Sequence, residues 1–334
     1  MAARTSVISS EKENVVIQAG ACSVSVLPQF GGKIVSIQVN GNELLQAPLA
    51  RISARTRTMA FDAGDASGWD ECLPSVAACT VSTAAGSTDI PDHGDLWRVA
   101  WQDVHGNDKG NVNGTGNANG NGSSIHLRAS CFSLPLELER KLVLSETGKG
   151  FRLSADYKLT NTSKKPTPWS WAAHPLFTAA PGDRIVLPST IQTLRVEGSG
   201  GNRLGQTGDL VTWPLATLAA GGTTDLTVAQ PPESGIGDKL FAGPLAADEN
   251  WCALERPSAG VRIRFTFDPA ENPYLGLWIC YGGWPDGPGP KQSCVAMEPT
   301  TAPVDSLAHS GPWSRGLEPG QRATWAMHVD LEFL

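Results

Sequence analysis

The chain has 334 residues and a formal charge of −7, with an ordinary apolar content and many glycines (36) and prolines (24). A mildly acidic surface is a poor match for a nucleic-acid backbone or an anionic membrane, both of which are bound by basic patches. No stretch reaches transmembrane length and residues 1–10 lack the apolar core of a secretion signal, so the expectation is a cytoplasmic protein with neither nucleic acid nor membrane as partner.

In chain order, Cys22, Val24 and Val26 alternate with Ser23 and Ser25, the period-2 pattern of a half-buried strand. Val35, Ile37 and Val39 repeat it, and Asn40-Gly41-Asn42 follows as a hairpin signal. The same stripe recurs at Trp97, Val99 and Trp101, at Ile125, Leu127, Ala129 and Cys131, and at Phe151, Leu153, Ala155, Tyr157 and Leu159. It returns at Val261, Ile263, Phe265 and Phe267, and at Trp325, Met327, Val329, Leu331 and Phe333. No segment has a clear helical period, although a short helical turn is expected around residues 303–308. Many short strands between Gly/Pro turns predict an all-β protein, a large antiparallel two-sheet sandwich. With no internal repeat and no linker, residues 5–334 read as a single domain. The Gly/Asn-rich residues 106–124 cannot bury apolar area and read as a flexible hairpin loop. The seven cysteines show no C-x-x-C pair and no zinc-like spacing. They read as small buried hydrophobes of a reducing compartment.

The strand pattern sorts the six histidines. His126 and His328 fall on polar faces, and His105 and His309 in loops. His93 remains, at the mouth of a strand in Asp92-His93-Gly94-Asp95-Leu96-Trp97. His174 remains too, in the largely apolar run Trp169-Ser170-Trp171-Ala172-Ala173-His174 that Pro175 interrupts. Glu298 is a lone acid in Cys294-Val295-Ala296-Met297-Glu298-Pro299. A carboxylate in such a strand is costly unless it is paired or used, and histidine titrates near neutrality. Trp69, Trp97, Trp169, Trp171, Trp278 and Trp284 lie within or beside these stretches. Sugars stack their C–H faces on aromatic rings, so this mixture reads as a site for a small-molecule sugar, with some tryptophans, Trp101 and Trp325 among them, left to fill the core. In Gly68-Trp69-Asp70-Glu71-Cys72-Leu73-Pro74 the adjacent acids are either a strand end facing a polar cleft or a solvated turn. Asp70, Trp97 and Trp278 are the expected sugar contacts.

Several of these motifs, in this order, resemble the aldose 1-epimerase (galactose mutarotase-like) superfamily. They are Gly31-Gly32-Lys33-Ile34-Val35-Ser36-Ile37 with Asn40-Gly41-Asn42-Glu43-Leu44-Leu45, then Gly68 to Pro74, Asp92 to Trp97, His174-Pro175-Leu176-Phe177 and Glu298-Pro299-Thr300. The resemblance runs from about residue 14 to the C-terminus. It implies a large β-sandwich with a sugar cleft on one sheet, and an isomerase that interconverts α and β anomers of a free sugar. It implies that His93 contacts the sugar ring, that His174 is the general acid on the ring oxygen, and that Glu298 is the general base on the C1 hydroxyl. A protonated His174 and a Glu298 with a raised pKa are expected. No metal, nucleotide or redox cofactor is required, and a monomer or homodimer is the expected state. The chain departs from the galactose mutarotases in having Ala50-Arg51-Ile52-Ser53-Ala54-Arg55-Thr56-Arg57 where they carry an Asn-Arg pair. It also lacks the His-Gly-Phe-Ala-Arg pattern of the hexose-6-phosphate branch. Two other functions suit the same scaffold. One is a sugar-binding or sensing protein without chemistry. The other is a lyase acting on a uronic acid, with Arg51, Arg55, Arg57 or Lys291 as the cation.

Overall fold

The computed structural model describes residues 14–83, 86–104 and 123–334. All but the last two residues of the Gly/Asn-rich 106–124 segment, and residues 5–13, therefore lie outside the described residues. Two large antiparallel sheets dominate. The 11-stranded sheet runs in the order Val15–Ala19, Cys22–Leu27, Lys33–Val39, Trp69–Cys72, Ala172–Thr178, Ser293–Thr300, Tyr274–Tyr281, Ile236–Ala242, Thr193–Ser199 and Leu210–Thr212, with Asn42–Glu43 paired to Lys33–Val39. The 8-stranded sheet runs Arg184–Val186, Trp251–Arg256, Val261–Phe267, Arg322–Phe333, Gly150–Asn161, Leu136–Thr147, Ser123–Ser130 and Gln102–Asp103. One apolar cluster draws from both, joining Leu275, Leu277 and Met297 of the first to Leu153, Phe265 and Val329 of the second.

The alternating stripes become strands with one buried face, as Val261–Phe267 does throughout its length. The central strands of the larger sheet differ. Trp69–Cys72 is buried at every residue, and Ser293–Thr300 at every residue but the first. One of their faces meets the other sheet, and loops cover the other, so their sequences read as apolar runs broken by single polar residues. Asn40 and Gly41 supply the left-handed backbone of the expected hairpin, at φ 51° and 78°.

Two expectations shift. Trp97, Val99 and Trp101 do not form a strand: Leu96–Arg98 is a single 3-10 turn with all three residues buried. Arg98, which the alternation would turn to solvent, points its guanidinium at the carbonyls of Met59, Asp92 and Gly94. Three backbone acceptors thus satisfy a buried cation, and the alternation is coincidental. The short helical turn forms slightly later than expected, at Leu307–His309.

Between the sheets lies one fully buried polar node. Glu71 accepts hydrogen bonds of 2.9 Å from Arg140, Tyr157 and Trp171, while Arg140 also donates to the Gly32 carbonyl. Arg140 and Tyr157 belong to the smaller sheet, so the node ties the two layers at the strand that also carries Asp70. Truncating one partner leaves a buried charge unpaired. Glu71→Ala should therefore cost about 3–5 kcal/mol in urea unfolding, whereas a loss under about 1 kcal/mol would make the node dispensable.

Candidate active site

Strand register builds the site. His174 is cross-strand from Asp70, Glu298 from Gly276, and Lys239 from Trp278. The pairing of Ala172 with Thr300 and Leu176 with Ala296 sets His174 across from Glu298. All five side chains therefore project from one face of adjacent strands, because residues of like parity share a face. At Gly276 a Cβ would come within 3.0 Å of Glu298 Oε2, so the absent side chain leaves room for the carboxylate.

Over that face opens a cleft of about 430 Å³, lined by Phe61, His93, His174, Lys239, Trp278, Trp284 and Asp305 among others. His93 comes from a tight turn over the sheet. Its own φ is 57°, and Gly94 follows at 68°, where a Cβ would lie 2.2 Å from the Leu73 carbonyl oxygen. The Asp95 carboxylate clamps the turn by accepting from the backbone of Phe132 and Ser133, both at 2.8 Å, and from the Ser133 hydroxyl at 2.7 Å. Phe61 stacks on the His93 ring at 3.7 Å, and the two imidazoles meet edge to face at 5.0 Å. His93 Nδ1 pairs with Asp92 at 2.9 Å. A wider groove, about 890 Å³, lies on the other sheet beside Trp325. There His328 is hydrogen-bonded to Ser154, and Asp156 and Asp268 are exposed, an ordinary solvated surface.

The electrostatics concentrate on the sheet face. His174 Nε2 lies 3.9 Å from Glu298 Oε1, too far for a hydrogen bond, and both Oε1 and His174 Nδ1 are buried without a partner. Glu298 Oε2 accepts from Lys239 Nζ, and Lys239 also lies 3.5 Å from Asp305. Burial pushes the Glu298 carboxyl above its usual range, against the pull of Lys239. Burial also works against the Lys239 charge, yet Asp305 and Glu298 outweigh it and carry its pKa above that of an ordinary lysine. The hydrogen bond and the second carboxylate favour the charged pair. For His174, burial lowers the pKa well below the ordinary imidazole value, and the charges of His93, Lys239 and Lys33 add to this. Burial therefore works against the charged imidazolium that the acid role expected of His174 requires.

His93, His174 and Trp278 line the cleft, and Glu298, with no exposed surface, lies behind the lining beside His174. Asp70 and Trp97 also stand behind the lining. Asp70 is buried against Lys33 at 2.5 Å, and Trp97 is 1% exposed with Phe61 and Arg98 against its ring. Lys239, Asp305 and Phe61 were missed from sequence. Lys239 had a weaker signal: it follows Asp238 and opens an apolar run, in Lys239-Leu240-Phe241-Ala242. Asp305 and Phe61 lie outside strands, where no periodicity assigns a face.

The fold matches those of solved structures at low sequence identity. A Synechocystis sp. PCC 6803 protein, Slr1438, aligns with a TM-score of 0.69 and 16% identity over 96% of each chain. An Escherichia coli K12 protein provisionally assigned as an aldose 1-epimerase aligns at 0.64 and 17%, covering 96% of this chain and 99% of its own. A galactose mutarotase related enzyme from Lactobacillus acidophilus aligns at 0.63 and 12%, again over 96% and 99%. No family model and no curated protein matches the chain. The architecture is that of the galactose mutarotase-like proteins.

Beneath the cleft, Lys33 binds Asp70 and, at 3.0 Å, Asp65, which also pairs with Arg55. Burial opposes the Asp65 charge, but Lys33 and Arg55 outweigh it and hold its pKa down to about 2, against 3.8 ordinarily. A depressed carboxylate stabilises the fold fully above its unfolded pKa. That contribution, roughly 2 kcal/mol, is lost as pH falls from about 4 toward 2. Unfolding free energy measured over this window should drop more steeply for the wild type than for Asp65→Asn; equal slopes would refute the assignment.

Proposed function

We propose that the protein is an aldose 1-epimerase acting on a free, uncharged sugar. The observation that carries this reading is Glu298 Oε1, without a hydrogen bond, facing His174 Nε2 across 3.9 Å just behind the lining of the cleft. A carboxylate and an imidazole so placed can serve the two oxygens on one anomeric carbon. Glu298 Oε1 takes the proton of the C1 hydroxyl as His174 delivers one to the ring oxygen. The C1–O5 bond breaks, the aldehyde turns about C1–C2, and the reverse transfers close the other anomer. Trp278 and Trp284 offer aromatic faces, and Asp92 with His93 offers polar partners for hydroxyls. The volume lies at the low end of the ~300–1,000 Å³ of small-molecule sites, in keeping with a monosaccharide.

The uncharged substrate is supported by where the cations go. Arg55 is paired with Asp65, Arg57 lies over the Phe132 ring, and Lys291 donates to the carbonyls of Pro285 and Gly287. Lys239, the lysine in the cleft lining, is flanked by two carboxylates. Arg51 is exposed and outside the cleft lining, and these placements argue against a uronic acid or a phosphosugar.

NMR exchange between anomers over a panel of aldoses tests the proposal. Glu298→Gln and His174→Asn should each slow exchange by about 10²–10⁴-fold; wild-type rates in both would sink it. The pH profile should be a narrow bell. Activity needs Glu298 ionised, so it rises through a raised pKa. It also needs His174 protonated, so it falls through a depressed one. His93→Asn removes a charge that depresses His174, and the alkaline limb should move to higher pH. If His93 were itself the acid, that limb would vanish with the activity.

A further inference from the structure

The two oxygens of Glu298 are not equivalent. Oε2 accepts from Lys239 Nζ, and Oε1 is buried and unpartnered. Lys239 has a side chain only 10% exposed and stands between two carboxylates, with Asp305 Oδ1 3.5 Å away and itself without a hydrogen bond. The Asp305 backbone is fixed independently. Its carbonyl accepts from the amides of Val76 and Ala77 at 2.9 and 2.8 Å, and its amide donates to Glu197 at 3.1 Å. The three charges thus reach one point from the Ile236–Ala242 strand, the Ser293–Thr300 strand and the loop beyond it.

We propose that Lys239 is the positioning residue of the base, a counter-ion shared by Glu298 and Asp305 that presents Oε1 to the substrate and keeps the carboxylate ionised. The proposal rests on the acid–base reading of Glu298, and Lys239 acts through that residue. A carboxylate with no exposed surface holds its proton unless a cation opposes burial. Lys239 opposes it, and Asp305 works the other way. The second carboxylate also matters during turnover. When Glu298 takes a proton, Lys239 loses one anion but keeps the other, so no buried cation is stranded. Other titratable groups around Glu298 are His93 from its turn, His174 from the neighbouring strand, Cys72 from the strand beyond that, and Cys294 on its own strand.

The test uses Lys239→Met and Asp305→Asn in the full chain, with folding checked by circular dichroism. Glu298 is titrated by infrared difference spectroscopy against Glu298→Gln, a readout independent of turnover. Lys239→Met should move its protonation midpoint up by about one pH unit or more, and Asp305→Asn should move it down. The acid limb of anomer exchange should follow each, and Lys239→Arg should return both close to wild type. Opposite movements are what a merely structural lysine would not produce. No movement, or the same direction in both variants, overturns the proposal. Should Lys239→Met fail to fold, Asp305→Asn and Lys239→Arg decide the question: a midpoint lowered by the first and kept by the second supports the counter-ion, and an unmoved midpoint in Asp305→Asn overturns it. If the wild type accelerates no sugar, the epimerase reading falls, while the infrared titration still tests Lys239.

Discussion

The structure depends on a charge placed where hydrophobic residues would be expected. Glu71 sits at 1% exposure between the sheets and takes three donors, one of them the guanidinium of the equally buried Arg140. Buried ion pairs rarely add net stability over apolar packing. This one joins the smaller sheet to the strand whose opposite face holds Asp70 and borders His174. Sliding that strand by one residue would turn Glu71 to the cleft and Asp70 into the core, breaking the Glu71 hydrogen bonds to Arg140, Tyr157 and Trp171. The node therefore specifies register, and register specifies which side chains reach the cleft.

A second tier of charge lies on the other face. Lys33, Asp65, Arg55 and Asp70 form one group, and Lys239, Glu298 and Asp305 another. Each combines ions that would be costly alone and together satisfy most of their hydrogen-bonding atoms. Glu298 Oε1 and Asp305 Oδ1 in the second group, and Asp70 Oδ1 and Arg55 Nε in the first, are buried atoms without a hydrogen bond, as is His174 Nδ1 beside them.

Much of this was legible from sequence, for a physical reason. Strands of the smaller sheet alternate because one face is wet, so Val261–Phe267 and the long C-terminal strand could be read by period alone. Central strands carry apolar runs, so a polar residue inside one is conspicuous; that marked His174 and Glu298. Depth was not legible. Asp70 has the same parity as His174 yet ends against Lys33, because the fate of a side chain on a covered face depends on loops remote in sequence. Trp97 misled in another way. Arg98 satisfied three carbonyls and stayed inside, which made an apparent alternation out of a turn. Lys239, Asp305 and Phe61 come from segments that meet only in three dimensions.

The opposition of His174 and Glu298 on neighbouring strands has a consequence for how such a protein could diversify. Their separation is inherited from the hydrogen-bonded spacing of the sheet, one of the least adjustable lengths in a protein. The side chains around them, Phe61, Asp62, Val76, Asp92 and Trp284, come instead from connecting segments, which tolerate insertion and replacement. The spacing of this pair and the lining of the cleft are thereby decoupled. Loops can be exchanged while the paired strands keep the His174–Glu298 separation unchanged.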